Sequence, residues 1–396
     1  MKRNLPLLIG GLIICLILAV MLFPQWFTKI NPYGTEIFKY QHANGQAIMQ
    51  SPPFPPAAGS PLGTDEMGRD ILSFIIYGTR LTITLGLLVV LGRFLVALPL
   101  GLAAGFGSYI CRTLISQFNV IFSAIPSLIV SVIVLKMNFF RNLDRQNSIL
   151  AFVLVLTFVG WAKIGAIISE RVQEILARSF ITGEKAIGKS SLRIALENVV
   201  PHLATELIVL FFMEIASALA MIMQLGIFEV FVGNIRFVAS TEGGVIAYVP
   251  VSFEPEWASM LAIARKFVQS APWVVISPAV AFFISILGFN MIGEGLRVKL
   301  NQRDSKFIVQ LRQLLKFQLK GKGFTKTSLI KLACTLLIIF SIFALSSPAQ
   351  SSNAFSVQDA APQYSVSTLM DQVVIGTEQA KETAERIAQA FQTIGL

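Results

Sequence analysis

A chain of 396 residues that is 54% hydrophobic and 14% charged, with a mean hydropathy of +0.70, lies outside soluble composition; soluble domains carry about 25% charged residues. Its net charge of +10 is gathered in one stretch, which argues against nucleic acid as a partner. Cys15, Cys111, Cys334, His42 and His202 show no metal-ligand or disulfide spacing, so metal chemistry has no support.

Seven apolar runs approach the roughly 20 residues that a bilayer core requires: Leu5–Phe23, Leu81–Phe106, Leu114–Leu135, Ile149–Ile168, Leu203–Val232, Trp273–Ile292 and the shorter Leu329–Leu345. The first follows Lys2 and Arg3 as a signal peptide would, but "MLFPQW" succeeds it without a small-x-small site, so an uncleaved anchor is expected. Before the second run, "LGTDEMGRD" gathers Asp65, Glu66, Arg69 and Asp70. The plain reading is a helix start capped by Thr64 or Asp65, with Arg69 paired to a carboxylate at the membrane surface. No histidine or second cluster supports catalysis there. Within the second run, Gly101 and Gly105 form a GxxxG pair suited to close packing, and Pro99 predicts a kink.

Two charges lie deep in apolar runs. At 1.5 Å per residue, Arg93 falls about 18 Å from the outer end of the second run and Glu214 about 16 Å from the inner end of the fifth, both near the midplane of a core about 30 Å thick. An unpaired charge there costs at least about 2.5 kcal/mol. The expectation is that they pair or line a translocation path, the alternative being a shifted register that lets Arg93 snorkel. Gln224, Asn290 and Glu206 are weaker path candidates; Glu206 and Glu294 are expected at the cytoplasmic interface.

Charge sets the topology. Glu294–Lys331 holds ten Lys/Arg against Glu294 and Asp304, whereas Ser346–Leu396 holds Lys381 and Arg386 against five acids. By the positive-inside rule the basic stretch is cytoplasmic and the tail outside. Counting back puts the N-terminus and loops 107–113 and 169–202 inside, and loops 24–80, 136–148 and 233–272 outside. Loop 136–148 fits poorly, since Lys136, Arg141 and Arg145 outnumber Asp144.

"GEKAIGKS", Gly183–Ser190, fits the phosphate-loop pattern G-x-x-x-x-G-K-[ST]. Its surroundings exclude that reading. Val172, Ile175, Leu176 and Phe180 recur at helical spacing upstream, where a buried strand is required. "SLRIALENVVPHL" downstream reads as a short helix stopping near Pro201. Two short helices joined at Gly188 instead suggest a hairpin that lies in a groove of a soluble partner.

"FITGEKAIGKSSLRIALENVVP" resembles the cytoplasmic E-A-A-x-x-x-G loop of ATP-binding-cassette import permeases: Gly188 and Pro201 keep the family's spacing, and Ala186 lies between. The front departs, because Thr182, Gly183 and Glu184 occupy the E-A-A positions, with Glu184 a displaced acidic charge. "SPLGTDEMGRDILSFIIYGTR", with Gly63, Thr64, Asp65, Gly68, Arg69 and Asp70, and Glu256–Arg297 are similar to the C-type permease subunit of dipeptide, oligopeptide and nickel importers. Over about residues 1–305 the resemblance implies an all-α, six-helix core in the bacterial cytoplasmic membrane. It also implies a homologous second permease, two cytoplasmic ATPases carrying the ATP and magnesium, and an extracellular or periplasmic solute-binding protein. No catalytic residue, metal or cofactor is assigned to this chain; membrane lipid is its solvent.

"KGKGFTKTSLIKLACTLLIIFSIFALSSPAQSSNAFS" reads as a seventh span or an internal export signal. Beyond it, "YSVSTLMDQVVIGTEQAKETAERIAQAFQTIGL" resembles the opening of a secreted M28-type zinc aminopeptidase, without that family's zinc ligands. The expected organisation is 1–80, first helix and outer segment; 81–300, permease core with loop 169–202; 301–328, basic linker; 329–345, seventh segment; 346–396, outer tail. A membrane-anchored permease–peptidase fusion and an ATPase-independent carrier are the rival classes.

Overall fold

The computed structural model describes residues 4–301, apart from 37, 44–45, 138–144, 233–234 and 243–244. The expected seventh segment, linker and tail lie outside the described residues.

Helix α1 (Leu5–Leu22) starts with Pro6 in its first turn, where the missing N–H costs nothing, and with the Asn4 side chain accepting from the Leu7 N–H. A single helical turn, α2 (Pro24–Phe27), precedes the hairpin β1 (Lys39–Ala43) and β2 (Gln46–Gln50). Helix α3 (Ile71–Gly105) is 35 residues long and begins ten residues before the second apolar run. Its cap is Asp70, which accepts from the Ser73 N–H at 2.8 Å, rather than Thr64 or Asp65.

The third apolar run is not one straight helix. It divides into α4 (Tyr109–Ala124) and α5 (Ser127–Leu135), which meet at 88°. Pro126 at the junction has no N–H to continue the helical ladder. Helix α6 (Arg145–Leu176) carries the fourth span eight residues past its apolar run. Two short helices follow, α7 (Ser179–Ala186) and α8 (Ser191–Ile194).

Pro201 does not stop a helix. A π-helical turn, Ala195–Val199, joins α8 to α9 (Val200–Ile227), and Pro201 sits in the first turn of α9, where proline is tolerated. The eight-residue strands β3 (Ile235–Glu242) and β4 (Val245–Ser252) pair antiparallel. Short helices α10 (Trp257–Ala262) and α11 (Ala264–Phe267) lead to α12 (Pro272–Asn301). The membrane core is therefore all-α, with two hairpins outside it that hydrophobic periodicity did not announce.

Glycines set the tightest helix contacts. On α3, an added Cβ at Gly101 would strike Ile168 and the Gly165 carbonyl, and one at Gly105 would strike Val172, so the GxxxG pair seats α3 on α6. The first and last helices interlock, Gly10 against Ile292 and Gly295 against Leu7. Gly78 and Gly226 bring α3 and α9 onto Trp257 and Ala258 of α10.

These contacts order the ends of the bundle. The start of α3, the end of α9, α10 and the start of α12 share one face, since Trp257 Nε1 donates to the Ile75 carbonyl at 2.8 Å and Gly63 packs on Trp273. Lys136, just past α5, lies 3.7 Å from Glu229, just past α9, so the bent pair also reaches that face. The starts of α1 and α4 and the ends of α3, α6 and α12 lie opposite. Among the described residues five helices are long and apolar enough to cross a membrane, and the bent pair, counted as one span, gives a sixth.

Candidate functional site

The hairpin α7–α8 is anchored from within. Ile181 and Ile194 are fully buried in a cluster with Ile168, Val172 and Leu203, which ties both short helices to the ends of α6 and α9. Between them Gly188 has φ +76°, a left-handed conformation that favours glycine. No atom lies within 4 Å of a Cβ built there, so the requirement is one of backbone shape and not of space.

An ionic knot closes the turn. Lys189 Nζ lies 2.9 Å from Glu184 Oε2 and 2.9 Å from Glu197 Oε2, and donates to Asn198 Oδ1 at 2.8 Å. Asn198 Nδ2 in turn donates to Glu184 Oε1 at 3.2 Å. The Lys189 hydrogen bond holds the Glu184 carboxyl below its usual range, and Glu184 and Glu197 hold the Lys189 ammonium above its own. Glu184 is thus engaged inside the hairpin rather than presented outward. The outward surface mixes small, charged and apolar side chains: Thr182, Gly183, Ala186 and Gly188 are exposed beside Lys185 and Arg193, with Ile187 at 80% and Leu192 at 60%. Sequence reading missed Ile187 and Leu192. Their helical phase opposite the buried Ile181 and Ile194 was the available signal.

Arg93 and Glu214 are brought together. Arg93 Nη1 donates to Glu214 Oε2 at 3.0 Å, with 4% and 9% of the two side chains exposed. Arg93 Nε donates to the Leu156 carbonyl at 3.1 Å, and Gly160 leaves the space in which the guanidinium lies. The pair therefore joins α3, α6 and α9. Gln224 and Asn290 are exposed on α9 and α12, so the four residues do not share one surface.

At the opposite end the LGTDEMGRD turn is an internal brace. Arg69 is clamped by Asp65 Oδ2, at 2.7 Å from both Nε and Nη2, lies 4.3 Å from the Phe74 ring centroid, and donates from Nη1 to the Ser252 carbonyl at 2.9 Å. Thr64 Oγ1 accepts from the Phe54 N–H, and Gly68 at φ +74° lies against the Glu36 backbone. Gly63, at φ +75°, passes beneath Trp273. Asp65, Arg69 and Asp70 are buried, not at a surface; Asp65 bonds within its own turn, Arg69 reaches Ser252 ahead of α10, and Asp70 accepts from Ser73 in the first turn of α3. Among the described residues no group of three His, Cys, Asp or Glu is placed to hold a metal ion.

No protein-family model matches the chain. Comparison with characterised proteins gives sustained similarity to peptide-transport permeases. The chain is 30% identical over 308 residues to the dipeptide transport system permease protein DppC of Haemophilus influenzae, covering 76% of this chain and 92% of that protein. It is 28% identical over 303 residues to DppC of Alkalihalophilus pseudofirmus, covering 76% and 88%. The glutathione transport system permease protein GsiD of Pectobacterium atrosepticum is 25% identical over 295 residues, covering 74% and 86%. With several spans and this sustained similarity, the chain is a multi-pass membrane protein and belongs to the family of dipeptide transport system permease proteins.

Proposed function

We propose that the chain is one permease subunit of an ATP-binding-cassette importer that carries short peptides across the bacterial cytoplasmic membrane by alternating access. A homologous second permease would complete the path, and two ATPases would dock on the α7–α8 hairpins. An outer solute-binding protein would deliver the peptide to the face that carries β1–β2 and β3–β4. Hairpin and N-terminus are inside in this reading, because the basic residues following α12 mark its end as cytoplasmic.

The observation that carries the reading is the hairpin itself. Its inner residues bind it to two spans, while Ile187, Leu192 and the small residues between face outward. A push on that surface is delivered to α6 and α9 together. The π-helical turn between α8 and α9 is a natural place for the push to bend the chain.

The test is a mild-detergent pull-down of the tagged chain from cells holding its partners, with ATPase activity measured for wild type and Gly188→Trp. A left-handed turn costs a side-chain-bearing residue about 1 kcal/mol, and the bulk of Trp stands on the docking surface. Recovery of a second permease with an ATPase that the substitution removes would support the reading. Recovery of the chain alone from a lipid-intact preparation would overturn it in favour of an ATPase-independent carrier.

A further inference from the structure

The bent helix places open backbone where lipid cannot cover it. Helix α4 has 16 residues, about 24 Å at 1.5 Å per residue, and stops short of a core about 30 Å thick. The break at Ala124–Pro126 therefore falls within the hydrocarbon depth. There the helical ladder ends with the Ile125 N–H on the Ile121 carbonyl and resumes with the Ile129 N–H on the Pro126 carbonyl. Pro126 has no N–H to offer the Phe122 carbonyl. Ser123, Ala124, Ile125 and Pro126 are nonetheless exposed. Irregular backbone at this depth persists only where protein covers it or water reaches it.

The side chains beside the break favour water. Ser116, Asn119 and Ser123 recur at intervals of three and four along one face of α4; both serines are exposed and Asn119 is half-buried. The neighbouring Gln117 is exposed too. Phe118 and Phe122 hold the helix to Phe158 and Trp161 of α6, so α4 is already seated on its aromatic side. No charged residue lies between Arg112 and Lys136. Ser123 Oγ donates to the Asn119 carbonyl at 2.6 Å, which leaves its lone pairs free to accept. This face is polar, neutral and rich in acceptors.

We propose that the broken helix α4–α5 is a wall of the solute path, where Ser116, Asn119, Ser123 and the Phe122 carbonyl accept from the N–H groups of a passing peptide. The inference deepens the importer reading and rests on it. Because the wall carries no charge, it would recognise the ammonium and amide N–H groups common to peptides and leave their side chains unread.

The test is thiol labelling in membranes containing the whole transporter, with Cys15, Cys111 and Cys334 replaced by Ser. Ser123→Cys and, as a second position should the first fail to assemble, Ser116→Cys are compared with Leu12→Cys on the exposed apolar face of α1. A water-soluble methanethiosulfonate reagent should modify the first two about tenfold faster than the third, since the reacting thiolate forms only where water reaches it. Saturating alanyl-alanine should slow that labelling. Rates equal to Leu12→Cys would overturn the proposal by showing that protein or lipid seals the break, and labelling indifferent to the dipeptide would overturn the contact with solute. Dipeptide uptake by the wild-type transporter is measured alongside. Its absence would remove the importer reading, whereas the labelling ratio still decides whether the wall is wet.

Discussion

At Arg93 the structure resolves a choice that sequence left open. The guanidinium does not snorkel; it is held by Glu214 and the Leu156 carbonyl, with little exposure of either charge. That position suits a brace between three helices better than a contact for solute. Breaking a buried pair by removing one partner costs about 3–5 kcal/mol, whereas replacing both charges with apolar groups of similar volume is often neutral. Arg93→Met and Glu214→Leu alone should therefore lower the thermal midpoint and the membrane yield sharply, and the double variant should recover most of both. Recovery of transport together with stability would assign the pair to architecture; stability without transport would give it a place in the mechanism. Glu256, ahead of α10, is a further buried acidic side chain, and Ser259 N–H donates to its Oε2 at 3.0 Å. Burial pushes its carboxyl up to about 8, against the backbone N–H groups of Ser259 and Ala258, which favour the anion. Because the folded state prefers the protonated acid, stability is complete below the unfolded value near 4.5 and declines as pH rises toward 8. Glu256→Gln keeps an acceptor for Ser259 and should flatten the dependence. Thermal unfolding in detergent at pH 5 and pH 8.5 would show it as a variant that gains over wild type only at the higher pH.

At the scale of an element, the hairpin α7–α8 is held in shape by contacts of its own. Its two halves are joined by Lys189, which reaches Glu184 on α7, and Glu197 and Asn198 beyond α8. Near solvent each such contact adds little to stability. Lys189→Ala should leave global stability within about 1 kcal/mol yet loosen the turn. Limited proteolysis should then cut faster near Gly188, and peptide-stimulated ATPase activity should fall while basal activity holds. An unchanged cleavage rate would show that Ile181 and Ile194 alone hold the hairpin. Packing between spans makes a plainer prediction. A side chain at Gly105 meets Val172 and the Ser169 carbonyl, so Gly105→Leu should separate α3 from α6 and abolish assembly, as measured by detergent-stable yield. Much of this was legible in sequence, and for identifiable reasons. Apolar length located the first six membrane segments, and the GxxxG spacing located the α3–α6 contact. Hydrophobicity carried no sign of the break at Pro126, because α4 and α5 are both apolar and only the proline's missing N–H divides them. The hairpins β1–β2 and β3–β4 escaped for a related reason: they lie outside the membrane, where no long apolar run marks an element. Arg93 and Glu214 were legible as costly charges, but a partner 121 residues away follows only from the fold.

For the whole molecule, the bent pair decides the topology. If α4–α5 dipped into the membrane and returned, every later span would be inverted, and the hairpin would face the side opposite the turn after α3. The contacts argue for a complete crossing. Lys136 meets Glu229 on the face that holds the start of α3, while α4 begins at the other face, directly after α3 ends. With α4–α5 crossing, the turn at Gly107 and the hairpin at Gly188 lie on one side, and the exposed Gly59 lies on the other. The positive-inside rule, applied to the Lys/Arg-rich sequence 294–331, leads us to expect Gly107 and Gly188 on the cytoplasmic side. Short epitope tags inserted singly at Gly59, Gly107 and Gly188 test both statements through antibody access in intact and permeabilised cells. The expected pattern is access at Gly59 in intact cells, and at Gly107 and Gly188 only after permeabilisation. Opposite behaviour of Gly107 and Gly188 would make α4–α5 a re-entrant element. The shared side with inverted access would keep the fold and reverse its orientation, moving the docking hairpin out of reach of any cytoplasmic ATPase.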